Sequence, residues 1–221
     1  MKSYRVTLTG VTPLLMHRDN LTFSEQIKEW QKLPENEELS QNGDDRSPAW
    51  TWIGCLYHEN GFIGLDSDNI MTMLREGGTK VRTGKKQETY KRQTQSGLIV
   101  NDICSDFFVN GKKIPTDEIF NLIGENDFAR HLKVVEDLGF ELLVKRARIG
   151  RAKHVRVRPM FRNWSSVVMI SVVDEDVSGI KQEVLKKIID TAGGQCGLCD
   201  WRPSSSTPGS FGKFSAEIEA I

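Results

Sequence analysis

A chain of 221 residues is long for one domain and short for two, so a single core with insertions is expected. Hydrophobic residues make up 38% of it, and no run approaches the roughly 20 apolar residues of a membrane-spanning helix or the apolar part of a secretion signal. No membrane partner and a cytoplasmic location are therefore expected. Lys and Arg number 30 and Asp and Glu 30, a formal net charge of zero that excludes the uniformly basic class of nucleic-acid binder and leaves the distribution of charge as the informative quantity.

Residues 3–9 alternate as a first strand, with Val6 and Leu8 on one face. Gly10 to Pro13 end it, and the apolar 14–16 plug the core. His17, Arg18 and Asp19 follow in a loop, where such residues are common but where acid–base chemistry also finds its groups. Residues 22–33 form an amphipathic helix with Phe23, Ile27 and Trp30 at helical spacing and Thr22 or Ser24 as cap. Residues 34–48 are polar and acidic, carrying Glu35, Glu37, Glu38, Asp44 and Asp45, and suit an exposed insertion. Residues 49–57 are strand-like, with Trp50 and Trp52 directed to the core, and Asn60-Gly61 turns a hairpin into 62–65.

Asp66 or Ser67 caps a compact helix whose apolar stripe is Ile70, Met73 and Leu74 and whose stop is Gly77. Residues 79–95 lack a hydrophobic period and form a second insertion, a basic loop. It carries Lys80, Arg82, Lys85, Lys86, Lys91 and Arg92 against one acid, Glu88, with Tyr90 placed to stack on a base. Strand character resumes over 96–109, Asn110-Gly111 turns, and two short helices cover 116–123 and 127–138.

Residues 144–164 hold Lys145, Arg146, Arg148, Arg151, Lys153, Arg156, Arg158 and Arg162 without an acid. Their alternation on either side of Gly150 is that of a β-hairpin. Pairing Ile149 with Lys153 sets Arg148 opposite His154 and Arg146 opposite Arg156, an almost wholly cationic face. Like charges opposed in a sheet repel, which favours a polyanion as partner. The acidic 34–48 also suggests head-to-tail assembly, one copy's acids meeting the next copy's cations.

Residues 167–173 form a strand and 179–192 a helix with Ile180, Val184, Leu185 and Ile188 on one face. A glycine-rich segment and a serine-rich loop then lead into a last strand. Cys196 and Cys199 have metal-knuckle or redox spacing, but no second pair supplies the remaining ligands, so neither metal nor cofactor is expected.

Helices alternating with paired strands suit an α+β fold with a ferredoxin-like (RRM-like) core, an antiparallel sheet, inserted loops and a basic β-hairpin. Gly193, Gly194, Gly197, Gly209, Gly212, Lys213 and Phe214 resemble the glycine-rich loop and strand entry of the RAMP superfamily, which includes backbone subunits of CRISPR effector complexes. The helix at 66–75 and the segment Thr12-Pro13-Leu14 are similar to that family's as well. The resemblance implies a core and loops that hold single-stranded RNA or DNA, often as a homo-oligomer or as a subunit of a ribonucleoprotein complex. On that basis Lys145, Arg146, Arg148, Arg151, Lys153, His154, Arg156 and Arg158 line the strand with the 79–95 loop. Gly193, Gly194 and Gly197 form a far wall, with Trp201 as stacking face and Arg202 as added charge. Some members of the family cleave RNA; the residues available for that here are His17, Asp19, His154 and Asp200, none with motif-like spacing. A subunit mimic that inhibits a nucleic-acid-guided complex is the remaining alternative, supported by the acidic insertion.

Overall fold

The computed structural model describes residues 1–41, 43–84, 87–149 and 152–221, the side chains of Ile149 and Ala152 excepted. Lys85, Lys86 and Arg151, expected to contact nucleic acid, lie outside the described residues. In chain order the elements are β1 (Lys2–Gly10), β2 (Leu14–Leu15), α1 (Leu21–Lys32), β3 (His58–Glu59), β4 (Phe62–Asp66), α2 (Ser67–Lys80), α3 (Lys91–Gly97), β5 (Leu98–Val100) and β6 (Cys104–Val109). They continue with α4 (Asp117–Phe120), α5 (Phe128–Asp137), β7 (Glu141–Ile149), β8 (Ala152–Phe161), β9 (Trp164–Val172), α6 (Glu175–Ser178), α7 (Gln182–Gln195) and β10 (Phe214–Ala220).

The result is a mixed α+β protein with antiparallel sheets. Among the described residues, one sheet runs β10-β1-β9-β6-β4-β3, with β5 also paired to β9, and a second runs β2-β8-β7. Alternation in β1 sends Tyr4, Val6 and Leu8 inward, where they join Val168, Ile170 and Phe107 of neighbouring strands under α2 and α7. Burying side chains of this size stabilises by about 1.5–3 kcal/mol each before entropy is counted. Among the described residues no helix is long and apolar enough to cross a membrane.

Several local expectations hold. Asp66 caps α2 by accepting from the Asp68 amide, and both Asn-Gly turns adopt left-handed φ, 51° and 80° at Asn60-Gly61 and 51° and 77° at Asn110-Gly111. Trp50 and Trp52 are buried, but 49–55 is a 3-10 helix rather than a strand. A short apolar run buried on all sides carries no period to separate the two. Helix α2 also does not stop at Gly77. A Cβ there would lie 2.5 Å from the Ile188 carbonyl oxygen and 2.9 Å from the Ala192 Cβ, so this glycine is where α2 and α7 cross.

Both insertions are more ordered than their composition suggested. The 79–95 segment is no free loop: α2 extends through Lys80, Arg82 bridges to Thr89, and α3 packs on α2 with Thr94 fully buried. Tyr90 is half-buried against the core, so its ring is partly spent on packing. The acidic 34–48 segment folds back onto β8, with Asn36, Asp45 and Ser47 buried.

His131, which had no sequence signal, is fully buried on α5 between two partners. Trp52 Nε1–H donates to its Nδ1 at 3.0 Å, and its Nε2–H donates to the Glu125 carbonyl oxygen at 2.8 Å. Only the neutral ring satisfies both bonds, and burial lowers its pKa. The folded protein then binds fewer protons than the unfolded chain at and below the free histidine pKa of about 6.5. Stability should therefore fall as pH drops through that value, by at most about 1.4 kcal/mol per pH unit for this group. His17 and His58 shift in the same direction. Urea midpoints across the acidic range should fall more gently in His131→Gln than in the wild type; parallel curves would remove His131 from the account.

Candidate nucleic-acid interface

The hairpin β7–β8 forms, one residue out of the expected register. Ile149 pairs with Ala152, Arg148 with Lys153, Ala147 with His154, Arg146 with Val155, Lys145 with Arg156 and Leu143 with Arg158. A one-residue slip moves side chains to opposite faces. Lys145, Arg156 and Arg158 share one face, while Arg146 and Arg148 share the other with Val144 and Val155. The single cationic face of the sequence reading is thus divided between two sides. The structure aligns Val144 with Val157, placing apolar residues together, but leaves Lys145 directly opposite Arg156 and Arg148 opposite Lys153.

The remaining repulsion is met from a distant part of the chain. Asp44 forms a parallel bridge with Val155; the Val155 amide donates to the Gly43 carbonyl at 2.8 Å, and the Asp45 amide to the Val155 carbonyl at 3.0 Å. This delivers the Asp45 carboxylate to Arg156 Nη1 at 2.6 Å and to Arg158 Nη1 at 3.0 Å, with the Val157 amide donating to it at 3.1 Å. Arg158, expected on an open face, is only 7% exposed. Of the acids in 34–48, Asp44 pairs with Arg46 and Asp45 with Arg156 and Arg158 within the same chain, while Glu35, Glu37 and Glu38 are exposed. His154 does not face the cleft; it packs on Gly43, its Nδ1 buried without a hydrogen-bond partner.

Arg158 also gathers two residues that the nuclease alternative singled out. Its Nε donates to Asp200 at 3.3 Å, its Nη2 donates to His17 Nε2 at 3.2 Å, and His17 Nδ1 lies 3.7 Å from Asp200. Accepting from a guanidinium requires an unprotonated Nε2, leaving the imidazole proton on Nδ1 toward Asp200. Partial burial, followed by the Arg158 charge, lowers the His17 pKa. Both ring nitrogens face a partner, and Asp19 makes no contact with this cluster in the hydrogen bonds and ion pairs of the described residues.

The loop after α7 supplies the opposite wall, but not through its first glycines. Gly193 and Gly194 belong to α7 itself, Gly193 buried where the Phe214 backbone passes too closely for any Cβ. Gly197 and Gly212, at φ 75° and 72°, are buried turn residues that bring Leu198 and Phe211 together. Cys199 and Trp201 also hold left-handed φ, 60° and 46°, and Gly209 lies against the Trp201 carbonyl with no room for a Cβ. Strain of this kind persists only where surroundings enforce it. Arg202 does so: it binds Glu76 of α2 at 2.9 Å and the Cys199 carbonyl at 3.0 Å, beside the Ser204–Glu76 hydrogen bond. Arg202 is a loop anchor rather than a lining cation. Cys196 and Cys199 are buried, and burial pushes the Cys199 thiol up to about 12.

Between hairpin and loop lies a cleft of about 800 Å³, floored by residues 17–20 and by Phe23 and Ile27 of α1. It is lined by six cations, Arg18, Lys145, Arg146, Arg148, Arg156 and Arg158, against three carboxylates, Asp19, Asp45 and Asp200. Trp201, Gly209 and Phe211 form the far wall. At the mouth the Lys145 ammonium lies 4.8 Å from the Trp201 ring centroid, a cation–π contact that bridges the two walls. The α1 helix covering one end has no buried residue and is fastened by Phe23, edge-on to Trp50 at 5.2 Å. Lys80, Arg82, Tyr90, Lys91, Arg92 and Lys153 do not line this cleft. Arg18 was not among the expected nucleic-acid contacts; its place in the His17-Arg18-Asp19 loop was the available signal. No family model matches the chain, and no curated protein resembles it.

Proposed function

We propose that this protein binds single-stranded nucleic acid along the cleft, without chemistry on the strand. The observation that carries this is the cleft lining, where exposed Lys145 and Arg146 share one space with Trp201 and the Lys145 ammonium lies 4.8 Å from the Trp201 ring centroid. Cations beside an aromatic face suit a strand whose phosphates and bases both need partners. A duplex presents no free base to Trp201. Binding is favoured over cleavage because His17, the best-placed acid–base group, is already engaged by Arg158 and Asp200.

Two further features support a RAMP-like protein with a ferredoxin-like core. The order β10-β1-β9-β6, with α2 and α7 in the crossovers, suits that topology. Two of the segments that resemble the family meet in space, the Gly212 amide donating to the Pro13 carbonyl at 2.8 Å, and Arg202 of the glycine-rich loop binds Glu76 of α2, the residue after the third. In such a protein, copies would repeat along the strand, so binding stoichiometry should scale with oligonucleotide length.

Fluorescence anisotropy of labelled oligouridine, oligothymidine and a DNA duplex tests the assignment. The single strands should bind more tightly than the duplex. Trp201→Ala should weaken them by about 1–3 kcal/mol, roughly 5- to 150-fold, for one lost stacking partner. Unchanged affinity in a folded Trp201→Ala would move the strand out of this cleft.

A further inference from the structure

Asp45 sits in a donor set of unusual completeness for a single carboxylate. Its Oδ1 receives Arg156 Nη1 at 2.6 Å; its Oδ2 receives Arg158 Nη1 at 3.0 Å and the Val157 amide at 3.1 Å. Two guanidinium groups and a backbone N–H converging on one anion are also what proteins aim at a phosphodiester. Two of the donors, Arg158 and the Val157 amide of β8, are fixed in advance. Arg158 is buried and tied to Asp200, His17 and the Val157 carbonyl, so it keeps its position whichever anion lies before it.

The carboxylate is brought to β8 by a short stretch of chain. It arrives on the short 43–45 bridge to Val155, which rests on two backbone hydrogen bonds. That bridge ends a long acidic segment, and Asp45, Arg156 and Arg158 all line the cleft. We propose that Arg156, Arg158 and the Val157 amide form a subsite for one phosphate of the bound strand, and that Asp45 occupies it in the free protein. A strand entering the cleft exchanges its phosphate for the Asp45 carboxylate and lifts residues 43–45 from β8. Arg158 stays compensated throughout, by Asp200 and by the incoming phosphate. The acidic segment then acts as an internal competitor that lowers affinity for polyanions too weak to displace it. This rests on the single-strand reading of the same cleft.

Two measurements test it, one in the wild type. Amide hydrogen exchange across 43–47 and at Val155 should accelerate when oligouridine or oligothymidine saturates the protein. Unchanged or slower exchange there in the complex would overturn the displacement. Separately, Asp45→Asn removes the resident charge while retaining an acceptor for the Val157 amide. Inorganic phosphate should raise its melting temperature and leave the wild type unmoved. Its affinity for single strands at a fixed low salt should exceed that of the wild type, because the phosphate no longer has to displace a carboxylate. Equal affinities with no phosphate shift would make Asp45 a structural counter-ion only. Should Asp45→Asn need an anion to fold, refolding in phosphate but not in chloride supports the subsite, and refolding in neither overturns it. If the wild type binds no oligonucleotide, the single-strand function fails, and the phosphate response of Asp45→Asn still decides whether the anion site exists.

Discussion

Replacing Asp45 by alanine is expected to destabilise the protein by about 3–5 kcal/mol, the range for removing one partner of a buried ion pair. The change leaves Arg158, 7% exposed, with Asp200 as its remaining carboxylate, and strands the Val157 amide and Arg156 together. The cost is mostly that of a cation left in a poorly solvating place, so it should greatly exceed anything a surface pair shows. Arg162 and Glu141, 2.6 Å apart and both exposed, provide the control: Arg162→Ala should leave the urea midpoint almost where it is. Should the two variants lose similar small amounts of stability, Asp45 would not be what holds the hairpin cations.

The second large effect concerns affinity rather than stability. Lys145→Glu combined with Arg146→Glu should weaken single-strand binding at least 10-fold and reduce the log–log salt slope by about 1.4, two phosphate contacts at roughly 0.7 each. Both side chains are exposed, so the fold should survive, apart from the Lys145–Trp201 contact, worth about 0.5–1 kcal/mol. Arg156 is deliberately excluded from this pair. Its guanidinium holds Asp45, and reversing it would set two carboxylates against each other and confuse binding with unfolding. Native circular dichroism with wild-type affinity would place the strand elsewhere on the molecule.

Elements with strong local signals were legible in the sequence: the alternation in β1, the Asp66 cap, both Asn-Gly turns and the pairing of β7 with β8 as a hairpin. Its register was not. Counting outward from the glycine put Arg146 opposite Arg156, whereas tertiary packing decides for Val144 against Val157 and buries Leu142. The partner of Arg156 and Arg158 was equally hidden. Asp45 is more than a hundred residues away in sequence, inside a segment whose polarity marked it as solvent-exposed, and nothing local links it to β8. Gly193 shows the converse problem, since a glycine needed for close packing within a helix looks the same as one that opens a loop. The candidate site was therefore recognisable by residue type at Lys145, Arg146, Arg148 and Trp201. Its enclosure by residues 17–20, by α1 and by Asp45 depended on contacts between distant segments.

The central claim is that the cleft takes a single strand through phosphate and base contacts together. Its most direct test is the affinity of the wild-type protein for oligouridine and oligothymidine, against duplex DNA, over a salt series. The account predicts single-strand binding that weakens linearly in log salt with a slope of about −1.4 or steeper, for at least two phosphates, and retains a salt-resistant part from stacking on Trp201. Absence of single-strand binding at low salt, or tighter binding to the duplex, would contradict it.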